Sequence, residues 1–251
     1  IIKCKLPHGV RIRYSRYFSY LHQAKNHQGD INHIVDQSYG HLLNLIDTKR
    51  TVITVHDLIP ILAWKGVIPG LSYPHYPLLY KLAVSSLKKA KAIIAVSHST
   101  KEDLIRYCGV SASSITVVYN GIDSRYHPVS PDSKAALRKS FGLPSEESHV
   151  VLITGNQSYK NHLTSFKVIS RLQSIMTKPV QLVWLGADTV VKSEYQNKYN
   201  IHNDVICLTN LSTERLNELY NSIDCLLFPS WYEGFGWPPL EAMAVSYTHL
   251  R

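Results

Sequence analysis

The sequence predicts an α/β protein made of two lobes, each built around a parallel sheet. Short apolar runs alternate with helical patterns along almost the whole 251-residue chain, and this alternation is typical of parallel strands that helices cover on both faces. It is interrupted once, between about residues 120 and 149, by a segment with many prolines and serines. The composition, 45% hydrophobic and 18% charged, is ordinary for a globular protein.

The apolar runs give the strands in order along the chain. Each run is short and bounded by turn residues, as expected of strands buried in a sheet. The predicted strands are Ile31–Val35, Val52–His56, Ala92–Val96, Ile115–Tyr119, Val150–Thr154, Val180–Leu185, Val205–Leu208 and Cys225–Phe228.

The segments between these runs carry helix signals. Ser99–Glu102 has the sequence of a capping box, and Gly109 is suited to close the helix that it opens. The other predicted helices have apolar residues at helical spacing: Tyr76–Ala90, Leu163–Ile175, Thr213–Ile223 and a short stretch near Lys134–Phe141.

The interruption sets the predicted domain boundaries. It contains Pro128, Pro131 and Pro144, and such composition is typical of a connection between domains. We therefore predict an N-terminal lobe over residues 1–123, an inter-lobe connection over 124–148 and a C-terminal lobe over 149–251.

Cysteine usage and hydropathy exclude some classes of protein. The four cysteines are widely scattered, with no Cys-x-x-Cys pair or histidine cluster, which argues against a zinc site and a disulfide framework and favours a reducing, cytoplasmic compartment. No apolar run approaches the length of about 18 residues that a membrane-spanning helix needs. Neither Gly-x-Gly-x-x-Gly nor a P-loop occurs, which counts against a dinucleotide oxidoreductase or NTPase.

The net charge of +9 calls for an explanation. Basic and aromatic residues interleave between Lys3 and Tyr20, a pattern that suits an anionic membrane at its inner face or a lipid-linked substrate. The alternative is a solvated basic face, and the sequence favours this interpretation of the charge. Nucleic acid is the third candidate, but the basic residues are dispersed and no nucleic-acid motif is present.

Residues 229–244 carry the most functional information. An apolar strand is followed here by a turn with Gly234 and Gly236 and then by a helix, for which Pro238 is a suitable first residue. Glu233 lies before this turn and Glu241 lies in the helix after it. The start of such a helix is a site for phosphate or another anion. Either glutamate could instead be a solvated or capping residue, because strand, turn and helix recur in every doubly wound protein.

The string Pro-Ser-x-x-Glu-Gly-Phe-Gly-x-Pro-x-Leu-Glu-Ala-Met-Ala resembles the nucleotide-sugar motif of retaining glycosyltransferase family four. The resemblance implies two Rossmann-like lobes facing each other across a cleft, the GT-B type. It implies transfer of a hexose from a nucleoside diphosphate, GDP-mannose or a UDP-hexose, to an acceptor hydroxyl with retention. No cofactor or bound metal is implied, since the nucleotide sugar is a substrate. Such enzymes serve cell-surface polysaccharide or glycolipid biosynthesis.

The same resemblance assigns roles within this string. Glu233 faces the transferred sugar, as stabiliser or nucleophile, and Glu241 binds the nucleotide ribose. The backbone at Gly234, Phe235 and Gly236 binds the donor diphosphate.

A second candidate residue follows the second predicted strand. His56 and Asp57 stand at its carboxyl end, where ligands gather in open α/β sheets. The alternative is that His56 packs in a strand-end turn and Asp57 caps the next segment. Thr-Val-His-Asp-Leu-Ile-Pro resembles the family's N-lobe motif, weakly its mannosyltransferase-like branch, and so implies that His56 faces the transferred sugar.

The loop after the first strand of the C-terminal lobe supplies a basic candidate. Lys160 could reach phosphate oxygens as a mobile charge, or could be an ordinary surface lysine. Its position is similar to the family's phosphate-binding loop, which implicates Gly155, Asn156 and Lys160 in donor binding. Relatives commonly have arginine after the glycine, where this chain has Asn156, so one expected cation is replaced by a neutral amide.

The two ends depart from the family pattern. The family's first strand and its glycine-rich loop are not recognisable before Ile31, and residues 245–251 do not continue the pattern after Ala244. We therefore expect a fragment that lacks both ends, with an incomplete second lobe and a foreign tail. The alternative function is a catalytically inactive nucleotide-sugar-binding module or partner subunit.

Overall fold

The computed structural model describes residues 20–71, 78–145, 147–186, 190–201 and 205–246. The basic stretch from Lys3 to Tyr20 therefore lies outside the described residues, apart from Tyr20. The chain forms two compact units. The first is Ile1–Asn120 with Glu233–Phe235, and the second is Gly121–Tyr232 with Gly236–Arg251. None of the described helices is long and apolar enough to cross a membrane.

The first unit contains a parallel sheet in which the strands follow their order in the chain. Its strands are β1 (Asn32–Ile34), β2 (Thr51–Val55), β3 (Ala92–Ala95) and β4 (Ile115–Val117), in the order β1-β2-β3-β4. All neighbouring pairs are parallel. Ile53 and Val55 of β2 are completely buried, as expected of β-branched residues in an inner strand.

Helices and 3-10 turns surround this sheet. The helices are α1 (Tyr20–Asn26), α2 (Ile59–Trp64), α3 (Leu78–Ser85) and α4 (His98–Cys108). The 3-10 segments are Gln37–Asn44, Thr48–Arg50, Ser86–Lys89 and Ala112–Ser114.

The predicted start of α4 was wrong by two residues. The N-cap is Ser97, whose extended backbone ends the connection from β3 and whose Oγ accepts the N–H of Thr100. Ser99 instead lies in the first turn of the helix and is exposed. The end was predicted correctly, since Gly109 adopts the left-handed conformation with φ 62°.

The second unit contains another parallel sheet, with a different strand order. Its strands are β5 (His149–Thr154), β6 (Val180–Leu185), β7 (Val205–Leu208) and β8 (Cys225–Leu226). They are arranged β7-β6-β5-β8, and each pair is parallel. The chain thus moves outward from β5 to β7 and then returns to the other side of β5. This reversal is a topological switch point at the carboxyl ends of β5 and β8, where open α/β sheets bind ligands.

Helices cover both faces of this sheet. They are α5 (Lys134–Ser140), α6 (His162–Ile175), α7 (Val190–Tyr199), α8 (Thr213–Ser222) and α9 (Trp237–Ala244), with 3-10 turns at Pro131–Ser133 and Ser158–Lys160. The side chains of β5 alternate between two cores: Val150 and Leu152 pack with α8, and Val151 and Ile153 pack with α6. The α/β prediction is confirmed, and all eight predicted strands are present with small shifts of their ends.

Residues 124–148 pack within the second unit. Arg138 is almost fully buried, and its guanidinium donates to the carbonyl oxygens of Ser222, Ser145 and Ser148 at 2.7–3.1 Å. It also forms an ion pair of 2.6 Å with Asp224, which precedes β8. The segment predicted as a connection is therefore anchored by one arginine to the start of β8.

Asp224 completes this network. Its other oxygen pairs with Lys134 at 2.7 Å, and it accepts the N–H of Val150 in β5. Burial by itself would raise the pKa of Asp224, but the bonds from Lys134 and Val150 and the charges of Lys134 and Arg138 outweigh burial and lower the pKa. The carboxylate is thus held in its charged form between two cations.

Replacing Arg138 by alanine should destabilise the protein by about 3–5 kcal/mol, because Asp224 and three carbonyls would lose a buried partner. Urea unfolding followed by circular dichroism measures the change. The control is Lys139→Ala at the exposed neighbouring position, which should change stability by less than about 0.5 kcal/mol. Equal effects of the two substitutions would contradict the structural role of Arg138.

Candidate active site

His56 of the first unit is held by the loop after β1. Its backbone N–H donates to Oε1 of Gln37 at 3.0 Å, and its ring Nε2 lies 2.9 Å from the carbonyl oxygen of Val35. Gln37 is buried, whereas His56 itself is exposed. The imidazole is therefore oriented at the carboxyl edge of the sheet and remains accessible to a ligand.

Asp57 is tied to the start of α2. Its Oδ1 accepts the N–H of Ile59, the first residue of α2, at 3.0 Å, while Leu58 is the N-cap of this helix. Burial raises the pKa of Asp57; the Ile59 N–H opposes this, while the carboxylates of Asp36 and Glu233 add to it. Glu233 is thus close enough to Asp57 to act on it electrostatically.

Gly234 makes a close approach to the loop after β2. A Cβ at this position would overlap the carbonyl oxygen of His56 and lie 2.9 Å from Cβ of Asp57. The sequence predicted that this glycine allows a ligand to approach the backbone. The structure gives a different reason for a glycine here, namely backbone contact with His56.

The carbonyl of Gly234 is held by two hydroxyls that the sequence analysis did not single out for this role. Ser97 Oγ donates to it at 2.5 Å and Thr100 Oγ1 at 3.3 Å. Ser97 therefore both caps α4 and binds this carbonyl. No sequence signal links Ser97 to Gly234, because 137 residues separate them.

Aromatic side chains surround the same segment. The ring of Phe235 lies 6.5 Å from that of Tyr119, which lies 6.1 Å from the ring of His98. Tyr119 is 61% exposed. Together with His56 and Glu233, these rings gather at the carboxyl edge of the first sheet.

The candidate residues of the second unit follow β5. Gly155 has φ 82°, and its carbonyl accepts the indole N–H of Trp184 at 2.7 Å. The side chain of Lys160 folds back over this glycine, since its Cε is 3.1 Å from the position that a Cβ would take. A glycine is therefore required here both by the backbone conformation and by the lysine above it.

The loops after β5 and β8 are hydrogen-bonded to each other at the switch point. Asn161 Nδ2 donates to the carbonyl of Pro229 at 3.1 Å, and the N–H of Trp231 donates to the carbonyl of Tyr159 at 2.9 Å. Lys160 Nζ lies 5.1 Å from the ring centroid of Phe228. The lysine is thus positioned between the two loops rather than extended into solvent.

The start of α6 adds to the positive potential of this loop. The helix has 14 residues and begins at His162, two residues after Lys160. The positive end of its dipole therefore lies beside the lysine, an arrangement that favours anions. Asn156, where the family commonly has arginine, is exposed, and its Oδ1 packs against Gly186 after β6.

His162 is a buried residue of this loop that the sequence analysis did not single out. It packs against Trp184 with 4.6 Å between ring centroids. Burial lowers its pKa to about 4, although the Gly155 carbonyl opposes this. His162 is therefore neutral at pH 7, and Lys160 supplies the formal charge of the loop.

Glu241 lies on α9 and is held by a hydrogen bond from Tyr220. The hydroxyl of Tyr220 donates to Oε2 of Glu241 at 2.8 Å. Tyr126 packs edge-on to Tyr220. Burial raises the pKa of both tyrosines, and the Glu241 carboxylate adds to the increase. The carboxylate is therefore oriented by the hydroxyl of Tyr220, which remains protonated.

The start of α9 offers fewer N–H groups than the strand, turn and helix pattern by itself indicates. Gly236 is its N-cap with φ 89°, and Trp237 is the first helical residue. Pro238 and Pro239 follow and have no N–H. An anion at this helix start would therefore be limited in this first turn to the N–H groups of Gly236 and Trp237.

The predicted site residues thus fall into two groups. Gly155, Asn156 and Lys160 lie at the carboxyl edge of the second sheet, and Gly236 and Glu241 belong to the same unit. Glu233, Gly234 and Phe235 belong with His56 to the first unit. Within the described residues no group of three His, Cys, Asp or Glu side chains could hold a metal ion.

Parallel sheets with helices on their faces and polar groups at their carboxyl edges define the doubly wound α/β class, and comparison with protein families makes the assignment specific. Residues 2–126 match the model of Glycosyltransferase Family 4. Residues 133–248 match the model of Glycosyl transferases group 1. The chain therefore belongs to the family 4 glycosyltransferases, as the motifs indicated.

Individual relatives agree with this assignment. The chain is 25% identical over 203 residues to the serotype-specific mannosyltransferase WbdA of Escherichia coli, covering 77% of this chain and 24% of WbdA. Sucrose-phosphate synthase of Thermosynechococcus elongatus superposes with a TM-score of 0.74 at 18% identity, over 92% of this chain and 58% of that one. Anabaena HepE in complex with UDP-glucose superposes with a TM-score of 0.68 at 19% identity. The match covers 90% of this chain and 60% of HepE. The chain thus spans about a quarter of WbdA and under two thirds of either solved structure.

Gly234→Ala should displace the 233–235 segment, because the new Cβ would overlap the His56 carbonyl. We expect faster amide hydrogen exchange at Glu233 and Phe235 and a lower melting temperature. Gly121→Ala is the matched control, since a Cβ there meets nothing within 4 Å and the exchange pattern should not change. Gly236→Ala separates the two requirements for glycine: it has space but a positive φ, so it should cost about 1–2 kcal/mol through backbone strain. Unchanged exchange in Gly234→Ala would refute the close approach.

Proposed function

We propose that this protein transfers a hexose from a nucleoside diphosphate sugar to an acceptor hydroxyl with retention of configuration. The observation that carries the proposal is the position of Lys160, between two hydrogen-bonded loops at the switch point and beside the start of a 14-residue helix. This arrangement concentrates positive potential where α/β sheets bind phosphate-bearing ligands.

The chemistry requires stabilisation of a leaving diphosphate. Negative charge grows on the diphosphate as the glycosidic bond breaks, and Lys160 with the α6 dipole is preorganised to receive it. The N–H groups of Gly236 and Trp237 can add hydrogen bonds to the same group. No bound metal or cofactor is needed in this scheme, because the lysine and helix supply the positive field.

Glu233 and His56 are proposed to act at the sugar. An oxocarbenium-like sugar develops positive character, which a carboxylate stabilises electrostatically. Asp57 and Glu233 act on each other electrostatically, so the first unit supplies negative potential beside the exposed imidazole of His56. The two glutamates do not act as a glycosidase acid and base, since a diphosphate is already a good leaving group.

Glu241 is proposed to bind the ribose of the nucleotide. A carboxylate accepts hydrogen bonds from a diol, and Tyr220 fixes its orientation by donating to Oε2. Ribose binding differs little between ground and transition states, so this residue should affect donor affinity more than turnover.

We propose GDP-mannose as the donor, with UDP-hexoses as the second choice. The mannosyltransferase WbdA supports mannose, and the HepE complex with UDP-glucose supports a UDP-hexose. The acceptor is proposed to be a carbohydrate or lipid-linked carbohydrate of a surface polysaccharide or glycolipid, reached by a cytoplasmic protein with peripheral contact to an anionic membrane. A panel of nucleotide sugars, assayed for transfer and hydrolysis, tests both the activity and the donor.

One observation favours a second candidate, a catalytically inactive nucleotide-sugar-binding module. Asn156 provides an amide where the family commonly has a cation, and an amide cannot neutralise phosphate. Binding of nucleotide sugars without transfer or hydrolysis of any of them would support this alternative. Turnover of one donor would exclude it.

Lys160→Ala should weaken binding of free nucleoside diphosphate by about 1.5–3 kcal/mol, the usual contribution of a hydrogen bond to a charged group. Isothermal titration calorimetry measures the loss. Lys167→Ala is the control, since this lysine is exposed on α6 beyond the loop. Asn156→Arg should tighten binding if a second cation is missing. Equal affinities of Lys160→Ala and Lys167→Ala would contradict the proposed phosphate site.

Glu233→Gln should lower transfer by roughly 10²–10³-fold, the effect of removing one preorganised electrostatic contact. The substitution keeps the side-chain shape, so the melting temperature should stay within a few degrees of the parent. Steady-state kinetics with the best donor measures the change, and donor KM should vary much less than kcat. Turnover near that of the parent would remove Glu233 from the catalytic role.

A further inference from the structure

A cavity of the first unit lies away from the edge that carries His56. It has a volume of about 260 Å³. Cys108 and Gly109, which line it, end α4 shortly before β4 begins, and Lys88 shortly precedes β3. Since α4 starts at the carboxyl edge and runs back along the sheet, this cavity lies toward the amino edge. We call it the amino-edge pocket.

The interior of the amino-edge pocket is apolar. Its floor consists of Ile61, Val84 and Cys108, all of which are buried. Trp64, which is 47% exposed, and Tyr107 form its walls. Burying apolar surface against such a lining is favourable. The pocket is therefore suited to a short stretch of hydrocarbon.

The rim of the amino-edge pocket is basic. Lys65, Lys81 and Lys88 line it, and no acidic residue among those described does. All three lysines are exposed, and within the part of the chain that the structure describes none of them forms a salt bridge. Lys65 Nζ instead lies 5.6 Å from the ring centroid of Trp64. The rim thus carries positive charge that no salt bridge among the described residues neutralises, next to an apolar interior.

The positive charge of the three lysines is partly offset by negative groups near the pocket. Two helices, α2 and α4, end at the pocket, and their C-terminal dipoles attract cations. Asp103 also acts electrostatically on Cys108, as do Lys88 and Lys65 with the opposite sign. One carboxylate and two helix ends offset part of the charge of three lysines, which leaves a net attraction for an anion.

From this combination we infer that the amino-edge pocket binds an anionic phospholipid of a membrane surface, with the headgroup phosphate on the three lysines and the first part of an acyl chain against Trp64. The positive charge of the lysines favours an anionic headgroup. The apolar floor favours a lipid over a free anion, because a free anion has no hydrocarbon to bury there. Leu82, 48% exposed beside Lys81, adds apolar surface of the kind that contacts a bilayer. The inference rests on the peripheral membrane contact proposed above, and it assigns that contact to residues other than the proposed catalytic and donor-binding groups.

Vesicle sedimentation tests the headgroup part. The protein should bind vesicles of phosphatidylglycerol and phosphatidylcholine more tightly than pure phosphatidylcholine. Replacing Lys65, Lys81 and Lys88 together by glutamine should weaken this binding by about 100-fold, the fold-change for three lysines near an anionic surface. The matched control replaces Lys139, Lys167 and Lys178, three exposed lysines of the second unit, and should change binding by less than about threefold. Equal losses would overturn the inference in favour of non-specific attraction.

Tryptophan fluorescence tests the acyl-chain part. Lipids brominated near the headgroup should quench Trp64, and Trp64→Phe should remove most of the quenching while the three tryptophans of the second unit stay unquenched. Quenching unchanged by Trp64→Phe would refute insertion. Displacement of the vesicles by millimolar inorganic phosphate at constant ionic strength would show a free-anion site and also overturn the lipid assignment.

The result is separable from the proposed transferase activity. Hydrolysis of a soluble nucleotide sugar, measured without vesicles, should be the same for the parent and for the Lys65, Lys81 and Lys88 variant. A loss of vesicle binding with unchanged hydrolysis supports the lipid site. A parallel loss of hydrolysis and of helical circular dichroism would indicate misfolding, and the Trp64→Phe quenching experiment then decides.

Discussion

Parallel strand pairing is the constraint on which the candidate site depends. Because all strands of a sheet run in the same direction, their carboxyl ends meet at one edge, and residues far apart in sequence are brought together there. In the first unit this edge collects His56, Ser97 and Tyr119 after β2, β3 and β4. In the second unit the reversal of strand order at β5 and β8 joins the loop of Lys160 to that of Pro229. The positions of the candidate residues therefore depend on the strand order of the two sheets more than on any individual bond.

Close backbone packing then determines which residues can occupy these edges. Gly234 is required by contact with the His56 carbonyl, and Gly155 by its φ of 82° and by the side chain of Lys160 above it. Asn161 adopts φ 57° and bonds the Pro229 carbonyl, and asparagine is one of the few residues that tolerate this conformation. Gly234 is thus restricted by a contact alone, Gly155 by its conformation and its own loop, and Asn161 by its conformation and a bond between two loops.

The buried Arg138–Asp224 network shows how the segment between the two sheets becomes part of the second unit. Proline-rich composition indicated a connection, and most of its residues do lie outside regular elements. A single arginine with four polar acceptors nevertheless anchors it to the start of β8, and Phe141 and Leu143 join the core beside that strand. The amino-acid composition of a segment indicates only its local conformational preference. The burial of Arg138 depends on hydrogen-bond acceptors at residues 145–148 and 222–224, which the composition of the segment does not reveal.

The sequence by itself determined the fold class, the positions of the eight strands and the family. Buried strands are recognisable as short apolar runs, and the family is recognisable from the Glu-Gly-Phe-Gly motif, so both depend only on local patterns of residues. It also indicated the strand ends where Lys160 and His56 lie. Only the tertiary structure decided that Ser97 rather than Ser99 caps α4, that Ser97 and Thr100 hold the Gly234 carbonyl, and that Tyr220 orients Glu241. These contacts join residues 21 to 137 positions apart, apart from the cap itself. Such pairings follow from the packing of whole elements, and a local pattern carries no information about them.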